Sequence, residues 1–225
     1  MILGDFLDLG MLSRFVQEPD APVHAIPQIK AFVKEANALV SECKKLIIVE
    51  GNHDERWLKS IGVNPVALRD AIGLSLREQC LAHGLSPTVQ WHRESARSPS
   101  LRVGPYFCRH GHRQTGRFGS PRHLAANRLQ KSMGVSEVFG HHHRAQMYCQ
   151  SAHGRTAVAI ANPCMTGDHD YAPDADWQRG FTILEMDQDE KWCTPHLILM
   201  TDGRFSWGGQ IYDGHETIRR KRLRP

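Results

Sequence analysis

Four short stretches of this chain carry residues that bind metals or move protons, and each follows an apolar segment. Gly4-Asp5-Phe6-Leu7-Asp8 comes after Ile2-Leu3, and Gly51-Asn52-His53-Asp54-Glu55 ends the run Leu46-Ile47-Ile48-Val49. His110-Gly111-His112 follows Tyr106-Phe107-Cys108, and Gly140-His141-His142-His143 follows Val138-Phe139. An aliphatic run that switches abruptly to glycine and polar residues reads as a buried strand emptying into a loop. In open α/β sheets, ligands collect outside the carboxyl ends of the strands. Asp, Asn and several His at four such ends suit a centre for divalent cations. Each stretch alone is weak, because Gly-Asn is also an ordinary turn, Asp is also a cap residue, and a run of His is also a solvated loop.

Taken in order, the stretches read G-D-x-x-D, G-N-H-D, H-G-H and G-H-x-H over residues 4–143. This series resembles the calcineurin-like metallophosphoesterases, whose full series begins with a further D-x-H. The resemblance implies an α/β fold of two packed mixed β-sheets flanked by helices, a four-layer α-β-β-α sandwich. It implies two divalent metal ions (manganese, iron or zinc) and hydrolysis of a phosphomonoester or phosphodiester by a metal-bound hydroxide. Asp5 matches the aspartate that bridges the two metals. Asn52, His110 and His141 match the other ligands of the second metal, and His143 matches a ligand of the first; His142, between them, is expected to face away. His53 matches a residue that stands by the scissile phosphate as a cation or proton donor and does not bind metal. Asp8 would orient it, since a carboxylate beside an imidazole fixes its tautomer and raises its basicity. His112 and Arg113 would contact the phosphate.

Two departures bear on these expectations. Leu9 stands where the protein Ser/Thr phosphatase branch has arginine, which argues against that branch. No Asp-x-His precedes Asp5, and Asp168-His169-Asp170 comes too late in the chain to match. The second-metal site is therefore complete, while the first keeps only Asp5 and His143. The reading expects the first strand of the fold to be missing, with either a start further upstream or a one-metal or inactive descendant.

The composition sets outer bounds. At 225 residues and 25.4 kDa, with 40% hydrophobic and 23% charged residues, the chain suits one soluble globular domain. We expect a domain over 1–218 and a basic tail over 219–225. The six cysteines are scattered without a C-x-x-C pair, which fits reduced thiols in the cytoplasm. Met1-Ile2-Leu3 runs into Gly4-Asp5 with no basic leader, so no signal peptide is expected, and no apolar run suggests a membrane span. Net charge is +4 but unevenly spread: Arg219, Arg220, Lys221, Arg222 and Arg224 crowd the tail. The interval from Glu94 to Glu137 has no acid between its ends, yet holds Arg97, Arg102, Arg109, Arg113, Arg117, Arg122, Arg128 and Lys131. Positive potential is thus concentrated around His110.

Positioning these residues requires a sequence of elements. Residues 25–45 read as a helix leading into a strand over 46–50, so a β-α-β unit with parallel pairing is expected. Residues 65–83 read as an amphipathic helix closed by Gly84. Short strands are expected at 88–92, 101–103 and 106–108, the last two around a Gly104-Pro105 turn. A helix should open at Pro121 and run to about Met133. Strands at 136–139, 146–152 and 156–161 follow, the last two joined at His153-Gly154. Strands at 181–186, 196–200 and 209–212 finish the chain, and 162–179 forms a long loop of the kind that rims a substrate site.

The functional expectation is therefore a metal-dependent phosphoesterase acting on a phosphorylated substrate, with nucleotides and nucleic acids among the candidates. The alternative is a weakly active, metal-retaining nucleic-acid-binding protein that uses its basic tail and Arg-rich face. A Ser-His-Asp hydrolase is disfavoured, since the chain has no G-x-S-x-G elbow.

Overall fold

The computed structural model describes residues 1–13, 24–62, 75–94, 101–113, 121–167 and 176–215. The basic stretch 219–225, the segment 168–170, and the start of the helix expected from Pro65 lie outside them. The architecture is mixed α/β, with several sheets flanked by helices. The chain forms two compact units, one from residues 1–101 and 109–115, the other from 102–108 and 116–225.

In the first unit, α1 (Ala25–Glu42) buries Ile29, Phe32, Val33 and Ala36. That spacing is the apolar stripe of a helix laid against a core. The chain returns as β1 (Ile47–Val49), which pairs parallel with β2 (Gln90–His92) in the register Ile48↔Trp91. On its other side β1 meets the start of the chain: Ile2 N–H donates to the Ile47 carbonyl, and Val49 N–H donates to that of Ile2, both at 2.9 Å. The bridge Ile2↔Ile48 is parallel, as the expected β-α-β unit requires. Directly after the Gly51–Asp54 loop comes α2 (Glu55–Gly62), a helix the sequence reading did not anticipate. The next described helix, α3 (Leu76–Ala82), starts with a capping box in which Ser75 and Glu78 satisfy each other's backbone N–H. Leu7, Leu9, Ile29, Phe32, Ile48, Leu76 and Cys80 build the core of this unit, with the Phe6 ring centroid 4.3 Å from that of Phe32 and the two rings tilted by 32°.

The second unit is built on a five-stranded sheet in the order β3-β4-β5-β7-β6, from β3 (Leu101–Val103), β4 (Tyr106–Arg109), β5 (Glu137–Phe139), β6 (Gln146–Ala152) and β7 (Arg155–Ala161). β5 and β7 run parallel, and β6 and β7 antiparallel. The β6–β7 turn places His153 and Gly154 both at positive φ, 50° and 73°. This is the two-residue hairpin geometry that matches strand twist. The helix expected from Pro121 begins as a 3-10 turn over Pro121–His123 and becomes α4 (Leu124–Lys131). Its Ala125 and Leu129 pack on Ala157 and Ala159, and its Leu124 on Phe139 and Ala161. Buried Arg128 is ion-paired to fully buried Glu137 on β5, so neither charge is left alone in the interior. Two hairpins finish the unit: β8 (Arg179–Met186) with β9 (Cys193–Met200), and β10 (Arg204–Trp207) with β11 (Gln210–Asp213). No helix among the described residues is long and apolar enough to cross a membrane.

Candidate metal and phosphate site

The first unit brings three of the expected ligands together. The β1 strand ends at Val49, and the loop that follows carries Asn52 and His53; Asp5 follows the segment that pairs with β1. His110 Nδ1 lies 2.6 Å from the Leu3 carbonyl, which can only accept, so Nδ1 carries the proton. The other ring nitrogen, Nε2, is 3.1 Å from Asp5 Oδ2 and 3.0 Å from Asn52 Oδ1. A neutral ring in this tautomer points a lone pair at two oxygens. That arrangement is attractive only with a positive species among the three atoms, either a proton on Nε2 or a metal cation. A histidine whose second nitrogen is held by a backbone carbonyl is the usual state of an imidazole that ligates metal. Carboxylate, amide oxygen and imidazole together suit a divalent cation.

The close approach depends on two glycines. A Cβ on Gly4, which sits at φ 91°, would collide with the His110 ring and come within 2.7 Å of Gly51 Cα. A Cβ on Gly51 would strike the Asp5 carboxylate. Asp5 itself has φ 52°, a left-handed conformation that costs a non-glycine residue energy and that Asp and His tolerate better than most. Its other oxygen, Oδ1, accepts the His53 N–H at 2.9 Å. Burial pushes the Asp5 carboxyl up, but the hydrogen bond and charge of His110, with help from His53, bring it down to about 2. The His110 ring is raised in turn: burial opposes its charge, and Asp5 and the Leu3 carbonyl outweigh burial.

Around this point stands a second layer of contacts. Asp8 Oδ1 and the Asp8 carbonyl each lie 3.1 Å from His53 Nδ1, and the His53 bond holds the Asp8 carboxyl below its usual range. Arg56, one helical turn on, reaches back to place Nη2 3.2 Å from His53 Nε2. Asp54 is buried and accepts three backbone N–H groups, from Gly51 and Asp5 at 2.8 Å and from Leu7 at 3.2 Å. Burial and the charge of Asp5 nevertheless push its carboxyl up to about 7. Glu94 Oε1 accepts the His110 N–H at 3.1 Å.

His112 and Arg113, expected at the substrate, are turned onto Glu55. His112 Nε2 lies 2.9 Å from Glu55 Oε1, Arg113 Nε donates to the same oxygen at 2.9 Å, and Arg113 Nη2 adds a second bond. Lys59 Nζ sits 3.2 Å from the other oxygen. Burial pushes the Glu55 carboxyl up, yet these partners bring it down from 4.5 to about 2. The folded value lies below the unfolded one, so this group's stabilisation is complete above pH 4.5 and is lost as pH falls toward 2. The melting temperature of Glu55→Gln should therefore fall furthest below wild type above about pH 5. The two should converge as pH falls toward 2; a difference that does not change with pH would contradict this role for Glu55.

In the second unit, the loop after β5 holds the remaining expected ligands. His141 and His143 both take positive φ, 72° and 55°, so this loop too stores backbone strain at its imidazoles. The His143 carbonyl accepts the Gln178 N–H at 2.9 Å, and the Trp177 ring stands edge-on 4.3 Å from the imidazole. Sequence reasoning had no role for Glu55, Arg56 or Glu94. Arg56 had a usable signal, its three-residue spacing from His53 on what proves to be a helix start. Glu55 and Glu94 had none.

No family model matches the chain, and no curated protein matches it. Among solved structures, the chain is similar to a single mutant of Vps29 from Entamoeba histolytica, at 16% identity over 94% of both chains with a TM-score of 0.37. At that score the likeness carries no inference about fold or chemistry.

Proposed function

We propose that this chain is a metal-dependent phosphoesterase that hydrolyses a phosphomonoester or phosphodiester. The observation that carries the reading is the convergence of Asp5 Oδ2 and Asn52 Oδ1 on His110 Nε2, in a ring whose other nitrogen is already committed to Leu3. The motif series supports it, since it resembles that of the calcineurin-like metallophosphoesterases. In this reading Asp5, Asn52 and His110 would hold the second of two metals; the motif resemblance adds His141 to that metal and assigns His143, with Asp5, to the first. Manganese, iron and zinc all accept such a donor set. A divalent cation there would supply Lewis-acid polarisation of a phosphoryl oxygen and a lowered pKa for bound water.

The chain's own residues do the rest. Asp8 holds the His53 Nδ1–H, so Nε2 is the atom that, once it has taken up a proton from water, passes that proton to the leaving oxygen. The backbone N–H of His53 keeps Asp5 Oδ1 occupied and leaves Oδ2, beside His110, as the oxygen that would be offered to a cation. His112 and Arg113 reach the substrate in this reading by exchanging Glu55 for phosphate oxygens. The domain is taken as residues 1–218 with a basic tail at 219–225, and the six free thiols suit a cytoplasmic setting.

The test is to strip the purified chain with chelator and reload it with manganese. Bound metal and the hydrolysis of p-nitrophenyl phosphate and bis-p-nitrophenyl phosphate are then measured together. Metal bound at full stoichiometry with no turnover of either ester would end the proposal. His53→Asn should keep its metal and lose about 10²-fold in kcat, the low end for general acid–base catalysis, because Arg56 already occupies Nε2 in the free protein. Loss of metal from that variant would make His53 a ligand instead.

A further inference from the structure

We propose that Arg56 is the residue that grips the phosphoryl oxygens of the substrate, an inference that rests on the phosphoesterase reading. Among the described residues, Arg56 and Arg113 stand in the first unit's site, and their partners differ in kind. Arg113 spends its charge on the Glu55 carboxylate through two nitrogens. Among the described residues, Arg56 hydrogen-bonds only neutral acceptors: Nη1 donates to the Asp8 carbonyl at 2.7 Å, and Nη2 to His53 Nε2 at 3.2 Å. The Asp8 carboxylate oxygen is 3.7 Å from Nη1, beyond hydrogen-bond distance. The side chain is only 18% exposed, so water does little to solvate the charge.

A half-buried guanidinium held by a carbonyl and an imidazole lone pair has much to gain from an oxyanion. Arginine and phosphate pair through two parallel, charge-assisted bonds that are about twice as strong as neutral ones. The place where Arg56 rests adds the functional point. It lies on His53 Nε2, the ring atom turned away from Asp8 and toward the leaving oxygen in the proposed chemistry. When a phosphoryl oxygen replaces Nε2 as the acceptor for Nη2, Arg56 stays anchored to the Asp8 carbonyl and His53 is released for its own contact. Substrate arrival and the freeing of His53 become one event. The i,i+3 spacing of His53 and Arg56 across the start of α2 places both groups on one side.

The experiment compares wild type, Arg56→Met and Arg56→Lys, all manganese-loaded. It reads metal content, thermal melting, kcat and KM for p-nitrophenyl phosphate, and the Kd of inorganic phosphate by calorimetry. Arg56→Met should keep its metal, raise KM and weaken phosphate binding by about tenfold or more, as expected for losing hydrogen bonds from a charged group. Added methylguanidinium should recover part of the loss, and Arg56→Lys should recover the charge without the paired geometry. A KM and phosphate Kd within twofold of wild type in a folded Arg56→Met, or in Arg56→Lys if the first variant does not fold, would overturn the inference while leaving the phosphoesterase reading intact. Arg56-dependent phosphate binding in a wild-type chain that turns over no ester would overturn that reading and keep Arg56 as an anion-binding residue.

Discussion

Asp5→Ala is expected to empty the metal site and lower kcat/KM for aryl phosphates about 10⁴-fold, to the level of the chelated wild type. The carboxylate has two tasks that no neighbour can take over. Oδ1 accepts the His53 N–H, and Oδ2 faces His110 Nε2. Asn52 and His110 would remain, but both are neutral donors to a cation, and the buried Asp54 carboxylate is tied to three backbone N–H groups. The magnitude follows from the several kcal/mol of charge stabilisation that a catalytic cation supplies, at 1.36 kcal/mol for each tenfold. His110→Ala should behave alike, because the ring supplies the atom on which the other two converge. Metal content by mass spectrometry checks both variants, and an Asp5→Ala protein that still binds metal at the wild-type stoichiometry would remove Asp5 from the site.

Asp54→Ala should cost roughly 5 kcal/mol of folding stability, which is the lower end of what a whole domain has to lose. The side chain is 1% exposed and accepts the N–H groups of Asp5, Leu7 and Gly51. Removing the carboxylate leaves three buried donors without an acceptor, at about 1–3 kcal/mol each. These three N–H groups belong to the two loops that carry Asp5 and Asn52, so the variant should also lose metal affinity through disorder of those loops. Asp54→Asn keeps one acceptor oxygen and should cost about half as much. Urea denaturation followed by circular dichroism measures both; an Asp54→Ala loss below about 1 kcal/mol would show that water or a shifted backbone satisfies the donors.

The parts of the structure legible in the sequence are those written as local pattern. The stripe Ile29, Phe32, Val33, Ala36 announces α1, and the run ending at Val49 announces β1 and the loop after it. The His153-Gly154 pair fixes the β6–β7 hairpin by backbone conformation alone. α2 was missed because its eight residues hold too few apolar positions to show a period. β10 was missed because four residues, Arg204–Trp207, are too short a stretch for alternation to stand out. In the site, motif order pointed to Asp5, Asn52 and His110, which meet in the first unit. It could not point to the Leu3 carbonyl that sets the His110 tautomer, since a backbone group has no letter in a motif. Nor could it show that Glu55 captures His112 and Arg113 from 57 and 58 residues away.

Those long separations also govern when the site comes into being. The bond from His110 to Leu3 spans 107 residues, that from His110 to Asn52 spans 58, and that from Asp5 to Asp54 spans 49. The entropy of closing such loops grows only slowly with their length, but forming distant contacts slows folding. The ligand point therefore exists only once distant parts of the first unit have met, and an unfolded chain has no Asp5–Asn52–His110 cluster to offer. A cation that waits for the closed form adds its binding energy to the native state alone, about 2.7 kcal/mol at a hundredfold excess over its dissociation constant. A metal bound there would act as a latch on a chain that has already found its shape.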